Sequence, residues 1–292
     1  MSNSNLTGHI AITVLGVAVA VGVSFMLNAR YTDAYVATQL VEKLPGQVDK
    51  TLELRESKVM AAQRDRILAG WTAAKNADMK DGRHVYGNPQ AEFTLVEFSD
   101  LECPFCQRFH DTPKRIADGS NGQINWEWQH YPLQFHDPAA NAAAVAAECI
   151  GEQVGNQAFW AFTGEYFSHT QLNGQGPEDL DKIALSVGAQ PDPLRSCMSS
   201  GKYDEKIQKQ ISRGTSLGVT GTPATVVVDN TTGKHLIVKG AQPAQSFRAA
   251  IAQLVAMRNE APDQEGLPPP EQSPATMPAP IKPLDLGGAH EQ

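Results

Sequence analysis

Two cysteines, Cys103 and Cys106, enclose Pro104 and Phe105 at the junction between an apolar run (Phe93, Leu95, Val96, Phe98) and a segment of helical character from Gln107 to Asp111. No other feature restricts the chain as much. A strand ending just ahead of the motif leaves Cys103 at a helix N-terminus, where unpaired backbone N–H groups and the macrodipole favour an anionic sulfur. Thiols so placed have pKa values lowered to roughly 3.5 to 7.5, which makes Cys103 the expected nucleophile and the shielded Cys106 the expected resolving thiol. Pro104 suits the first helical turn, since its missing N–H costs nothing there and its φ is already helical. The same spacing also serves a zinc or iron–sulfur half-site. His110, four residues after Cys106, would share its helical face, but no second Cys-X2-Cys exists in the chain.

The length of 292 residues, with 41% hydrophobic and 19% charged, suits one good-sized domain with appendages. A net charge of -8 and the lack of a basic stripe argue against a nucleic-acid partner. Four cysteines form an even set. Cys149 and Cys197 remain after the redox pair, and both fall in helical segments of one block. A disulfide between them is predicted in an oxidising compartment; two separate buried thiols are the alternative.

The chain divides by composition. After a short segment, 1–9, the uncharged apolar stretch 10–27 reads as a membrane anchor or signal segment at the short limit for a span, and as an uncleaved anchor because no A-x-A site follows. The nearest basic residue, Arg30, would by charge alone put the C-terminal side in the cytoplasm; the redox chemistry puts it outside. Residues 31–81 are polar and helix-favouring, with Leu40, Leu44, Val48, Leu52 and Val59 at spacings of four and seven, interrupted by Pro45-Gly46. This predicts a helical stalk, either pairing with copies of itself or lying on its own domain. The folded domain spans 84–257. The Pro-rich stretch 261–292 is expected to be disordered.

Within the domain, Phe93–Phe98, the Cys103 helix with a break near Pro113, and Ile124–Tyr131 form a β-α-β unit. A helical insert at about 138–217 follows, then strands at Ala224–Asp229 and Leu236–Lys239 joined as a hairpin, and a final helix from Ser246 to Met257. Glu97 shares a strand face with Phe93 and Leu95. In a sheet covered on both sides it would be buried, and desolvation would raise its pKa into the range of a proton acceptor for Cys106. Its alternative is a strand end that reaches solvent.

That order, together with Val96-Glu97-Phe98-Ser99-Asp100 before the dithiol, Glu148-Cys149, Phe159-Trp160, Gly201-Lys202-Tyr203, the run Leu217 to Pro223 and Gly240-Ala241-Gln242-Pro243, resembles the DsbA-like thiol–disulfide oxidoreductases of the thioredoxin superfamily. The resemblance implies an α/β thioredoxin fold with a helical insert. It implies an enzyme of the bacterial envelope, working from the periplasmic side of the inner membrane. Its redox group is the Cys103/Cys106 pair, with no further cofactor and no metal. Its partners are exported proteins with cysteines and a membrane redox partner that recycles the dithiol. It also implies that Pro223 is cis, that Thr222 and Pro223 with Pro104 and Phe105 meet the substrate, and that Glu97 serves Cys106. The strongest oxidants of the family carry histidine in place of Phe105 and valine in place of Thr222, so oxidase against isomerase or reductase stays open. Two other classes are a metal-binding module built on Cys103, Cys106 and His110, and a tethered assembly factor in which the redox fold is vestigial.

Overall fold

The computed structural model describes residues 4–74 and 82–259; along the first helix, the side chains of residues 4–23 and of scattered positions up to 46 are not among those described. The tail 261–292 and the link 75–81 therefore lie outside it. Helix α1 (Ser4–Ala69) is followed by a short 3-10 turn, Thr72–Ala74, and then by β1 (His84–Tyr86) and β2 (Phe93–Ser99). Next come α2 (Pro104–Phe109), α3 (Asp111–Asp118) and β3 (Ile124–His130). The insert comprises α4 (Ala139–Val154), α5 (Asn156–His169), α6 (Leu180–Ser186), α7 (Pro191–Ser199) and α8 (Asp204–Ser216). The chain closes with β4 (Ala224–Asp229), β5 (His235–Lys239) and α9 (Ala244–Asn259).

The strands form one mixed sheet of order β1-β3-β2-β4-β5, with β2 parallel to β3 and the other pairs antiparallel. β2 is central and all of its residues are buried, as expected for a strand covered on both faces. Alternation sorts its side chains into two cores. Leu95 opposes Trp126 and Val227 on the larger face, beneath α4, α5 and α9. Val96 and Phe98 join Val226 and Val219 on the smaller face. There α8 crosses so closely that a Cβ on Gly214 would stand 2.8 Å from the Phe98 ring, so only glycine fits.

Two sequence expectations change. Pro45-Gly46 does not interrupt α1, whose backbone is helical from Ser4 to Ala69; proline is disfavoured inside a helix by about 3 kcal/mol, which well-formed turns on either side can absorb. The expected membrane helix at 10–27 is not supported. Among the described residues no helix is long and apolar enough to cross a membrane, and most of that stretch lies outside the described side chains. Of the two readings of the stalk 31–81, its C-terminal end follows the one in which it lies on its own domain. Ile67 and Leu68 pack on the larger core, and Trp71 and Ala74 are part of it. Trp71 lies 6.1 Å from Trp160 and 6.5 Å from Trp126, and Trp128 completes the cluster 6.2 Å from Trp126.

Candidate active site

β2 ends at Ser99, and the turn Asp100-Leu101-Glu102 delivers Cys103 to the N-terminus of α2. Cys103 is the N-cap, with extended φ and ψ of -84° and 122°, and Pro104 opens the helix behind it. The Cys103 N–H donates to the Asp100 carbonyl at 3.1 Å, closing the turn. Both thiols are free, Cys103 being 3% exposed and Cys106 fully buried. The break after α2 falls at His110, and Pro113 sits in the first turn of α3, where no N–H is required of it.

The second half of the site arrives from the far side of the insert. The peptide bond Thr222-Pro223 is cis. The Cys103 sulfur stands 3.6 Å from the Thr222 carbonyl oxygen, to which its S–H donates. The Thr222 hydroxyl is buried beside it with no other partner among the described residues. Phe105 is 54% exposed and Arg108 lies over its ring at 4.7 Å, so one apolar and one cationic group border the dithiol.

Electrostatics divide the two sulfurs. A hydrogen bond from the Cys106 thiol, helped by the Thr222 hydroxyl and the N–H groups of Cys106 and Phe105, holds the Cys103 thiol down at about 6 against the effect of burial. Cys106 is pushed well above the usual thiol value by burial first, then by the charges of Cys103 and Glu97. Only the Asp100 N–H, 3.5 Å from its sulfur, works the other way. Glu97 is fully buried, and neither of its oxygens has a hydrogen-bond partner among the described residues. Burial raises it to about 8, with Ser99 and Trp126 drawing it part of the way back.

Cys149 and Cys197 are joined by a disulfide that ties α4 to α7 across a separation of 48 residues. His110 does not turn toward the thiols. It is packed among Trp71, Trp126, Trp128 and Phe167, and burial, with the charge of Lys114, lowers it to about 3. Among the described residues no three metal-ligating side chains gather. Sequence reasoning missed the surroundings of the turn: Asp100 with His136, and Glu102 with Tyr166 and Thr170. The only signal was two acidic residues in a stretch destined for burial.

A family model described as Thioredoxin matches residues 79–253, more than half of the chain. The chain belongs to that thioredoxin family. Among solved structures it is similar to Pseudomonas aeruginosa DsbA2, at 32% identity and a TM-score of 0.54, covering 63% of this chain and 97% of that one. Disulfide bond formation protein D of Bacillus subtilis is 25% identical over 155 residues, which is 51% of this chain and 68% of that protein. The Na(+)/H(+) antiporter NhaA 1 of Mycolicibacterium gilvum is 38% identical over 86 residues, which cover 30% of this chain and only 14% of the antiporter. The likeness to the antiporters is thus confined to a small part of their length. Taken together, the chain is a DsbA-like member of the thioredoxin superfamily.

Proposed function

We propose that the chain is a thiol–disulfide oxidoreductase acting on cysteines of exported proteins in the bacterial envelope, with Cys103 as nucleophile, Cys106 as resolving thiol and Glu97 as the proton carrier for Cys106. The observation that carries this is the division of the thiol pair beside a cis proline: Cys103 held at about 6 and Cys106 pushed up. In the oxidised protein a substrate thiolate attacks the Cys103 sulfur, forming a mixed disulfide and expelling Cys106, which takes a proton from Glu97. A second substrate thiolate attacks the substrate sulfur of that mixed disulfide, closing the substrate disulfide and releasing Cys103 as thiolate. In the opposite direction Glu97 accepts the Cys106 proton and Cys106 resolves the intermediate. The cysteine pair carries the two electrons without another cofactor, and a membrane redox partner restores it.

Thr222 and Pro223 receive the substrate strand, Thr222 through its backbone, and Pro104 and Phe105 border it. The Cys149–Cys197 disulfide supports an oxidising compartment such as the periplasm. Val48, Leu52 and Val59 are exposed at four- and seven-residue spacings on α1, which supports self-pairing of copies through 31–81. The test is Cys106→Ala expressed in cells whose thiols are blocked at lysis. Mixed disulfides larger than the protein should accumulate and collapse on reduction, and Cys103→Ala should abolish them. Adducts that persist without Cys103, or none at all, would overturn the assignment.

A further inference from the structure

The turn leading into Cys103 carries a carboxylate that the exchange chemistry does not use. Glu102 is fully buried and each of its oxygens is doubly engaged. Oε1 accepts from the Tyr166 hydroxyl at 2.8 Å and the Thr170 hydroxyl at 2.6 Å. Oε2 accepts from the N–H groups of Gly174 at 2.9 Å and Gly176 at 3.1 Å. The Glu102 carbonyl accepts from the Asn173 N–H at 2.8 Å. The residue next to the nucleophile is thus the peg on which the insert's loop 170–177 hangs.

The loop needs such a peg. Four of its residues, Leu172, Asn173, Gly174 and Gly176, have φ of 63°, 53°, 82° and 72°. Two of these are not glycine, and a left-handed backbone persists at such residues only where the surroundings over-determine it. The loop also lies flush on the 3-10 turn Gln134–His136, since a Cβ on Gly174 would come within 2.9 Å of the His136 carbonyl oxygen. That turn is fastened to the same segment, with Asp100 Oδ2 bonded to His136 Nδ1 at 2.7 Å and to the Leu133 N–H at 3.0 Å. Helix α2, only six residues long, has no comparable means of fixing its own N-cap.

We infer that Glu102 is a positioning residue for Cys103: by clamping the insert's loop 170–177 onto the turn, it keeps the Cys103 sulfur aimed at the N-terminus of α2 and at Thr222. This rests on Cys103 being the nucleophile. Position and charge make opposite demands. Loss of the clamp lets the sulfur leave its donors and raises its pKa, whereas mere removal of a neighbouring negative charge lowers it.

The experiment follows the rate of Cys103 alkylation by iodoacetamide against pH in the full-length reduced protein, beside melting temperatures. Glu102→Ala should move the midpoint up by about one pH unit, about tenfold less thiolate on the acid side. Glu102→Gln retains an acceptor for the two glycine N–H groups and an NH2 that the two hydroxyls can turn to accept, so with the clamp kept and only the charge removed it should sit at or slightly below the wild-type midpoint. If Glu102→Ala does not fold, Tyr166→Phe removes one donor while the ring keeps its place, and should move the midpoint the same way by a smaller step. For Glu102→Ala, a fall in melting temperature with no shift in midpoint would make Glu102 merely structural and overturn the inference, as would a downward shift. A wild-type Cys103 that titrates as an ordinary thiol would refute the nucleophile assignment itself, and the positioning role with it.

Discussion

Glu97→Gln tests the buried acid behind the dithiol through stability alone. The ordinary carboxyl value of 4.5 applies to the unfolded chain, and burial raises the folded value to about 8. Between those limits the unfolded chain releases its proton while the folded chain keeps it, so the unfolded state gains as pH rises. Each pH unit in that window costs the fold ~1.4 kcal/mol. The loss is absent below pH 4.5, reaches about 3 kcal/mol at pH 7 and levels off above pH 8. The amide cannot ionise and escapes the cost, while every other titrating group is common to both proteins and cancels. Urea unfolding of the two reduced proteins at intervals between pH 4.5 and 7.5 should show the variant gaining steadily on the wild type, whatever their difference at pH 4.5. If the two stability curves run parallel across this range, Glu97 is not a desolvated acid and its proposed proton transfer has no basis.

Iodoacetamide should modify Cys103 with a midpoint near pH 6 while Cys106 stays unreacted in the folded protein, as peptide mapping would show; equal labelling would contradict the division of the pair. Replacing both Cys149 and Cys197 with serine should cost about 4 kcal/mol in denaturant unfolding, the loop-closure value for a separation of 48 residues, and a cost near zero would mean the bridge does not form in solution. Gly214→Ala should lose roughly 1 to 3 kcal/mol, because the added methyl meets the rings of Phe98 and Tyr131 at under 3 Å; unchanged stability would show that α8 can lift from the sheet without cost.

The legible parts of this fold were those encoded over a few neighbouring residues. The β-branched run of β4 and the Pro104 helix start carry their signals locally, and the predicted strand Ala224–Asp229 coincides with β4. The dithiol and Thr222-Pro223 were brought together in advance only by the family resemblance, since nothing local joins residues 119 apart. β1 escaped notice because His84–Tyr86 is too short to show alternation. Trp71 looked like part of a solvated stalk, because its place in the core depends on how α5 packs against it. Asp100 entered the sequence reading only as part of the segment before the dithiol, and Glu102 not at all. Apart from the Glu102 N–H, which Asp100 accepts locally, the donors that satisfy them come from residues 133–136 and 166–176, none of which can be inferred from spacing.

The chain has four tryptophans, Trp71, Trp126, Trp128 and Trp160, and all of them belong to the one aromatic cluster behind the dithiol. The rings of Trp126 and Trp160 are 4.2 Å apart, and Trp126 also acts on the carboxyl of Glu97. Ultraviolet light absorbed by any indole in this protein is therefore emitted from a single place. Tryptophan emission, excited selectively, carries nothing from α1 up to Ala69 or from residues 261–292, where there is no tryptophan. Without a dye or an added label, tryptophan emission reports on the packing of the one core that also holds Cys103 and Cys106.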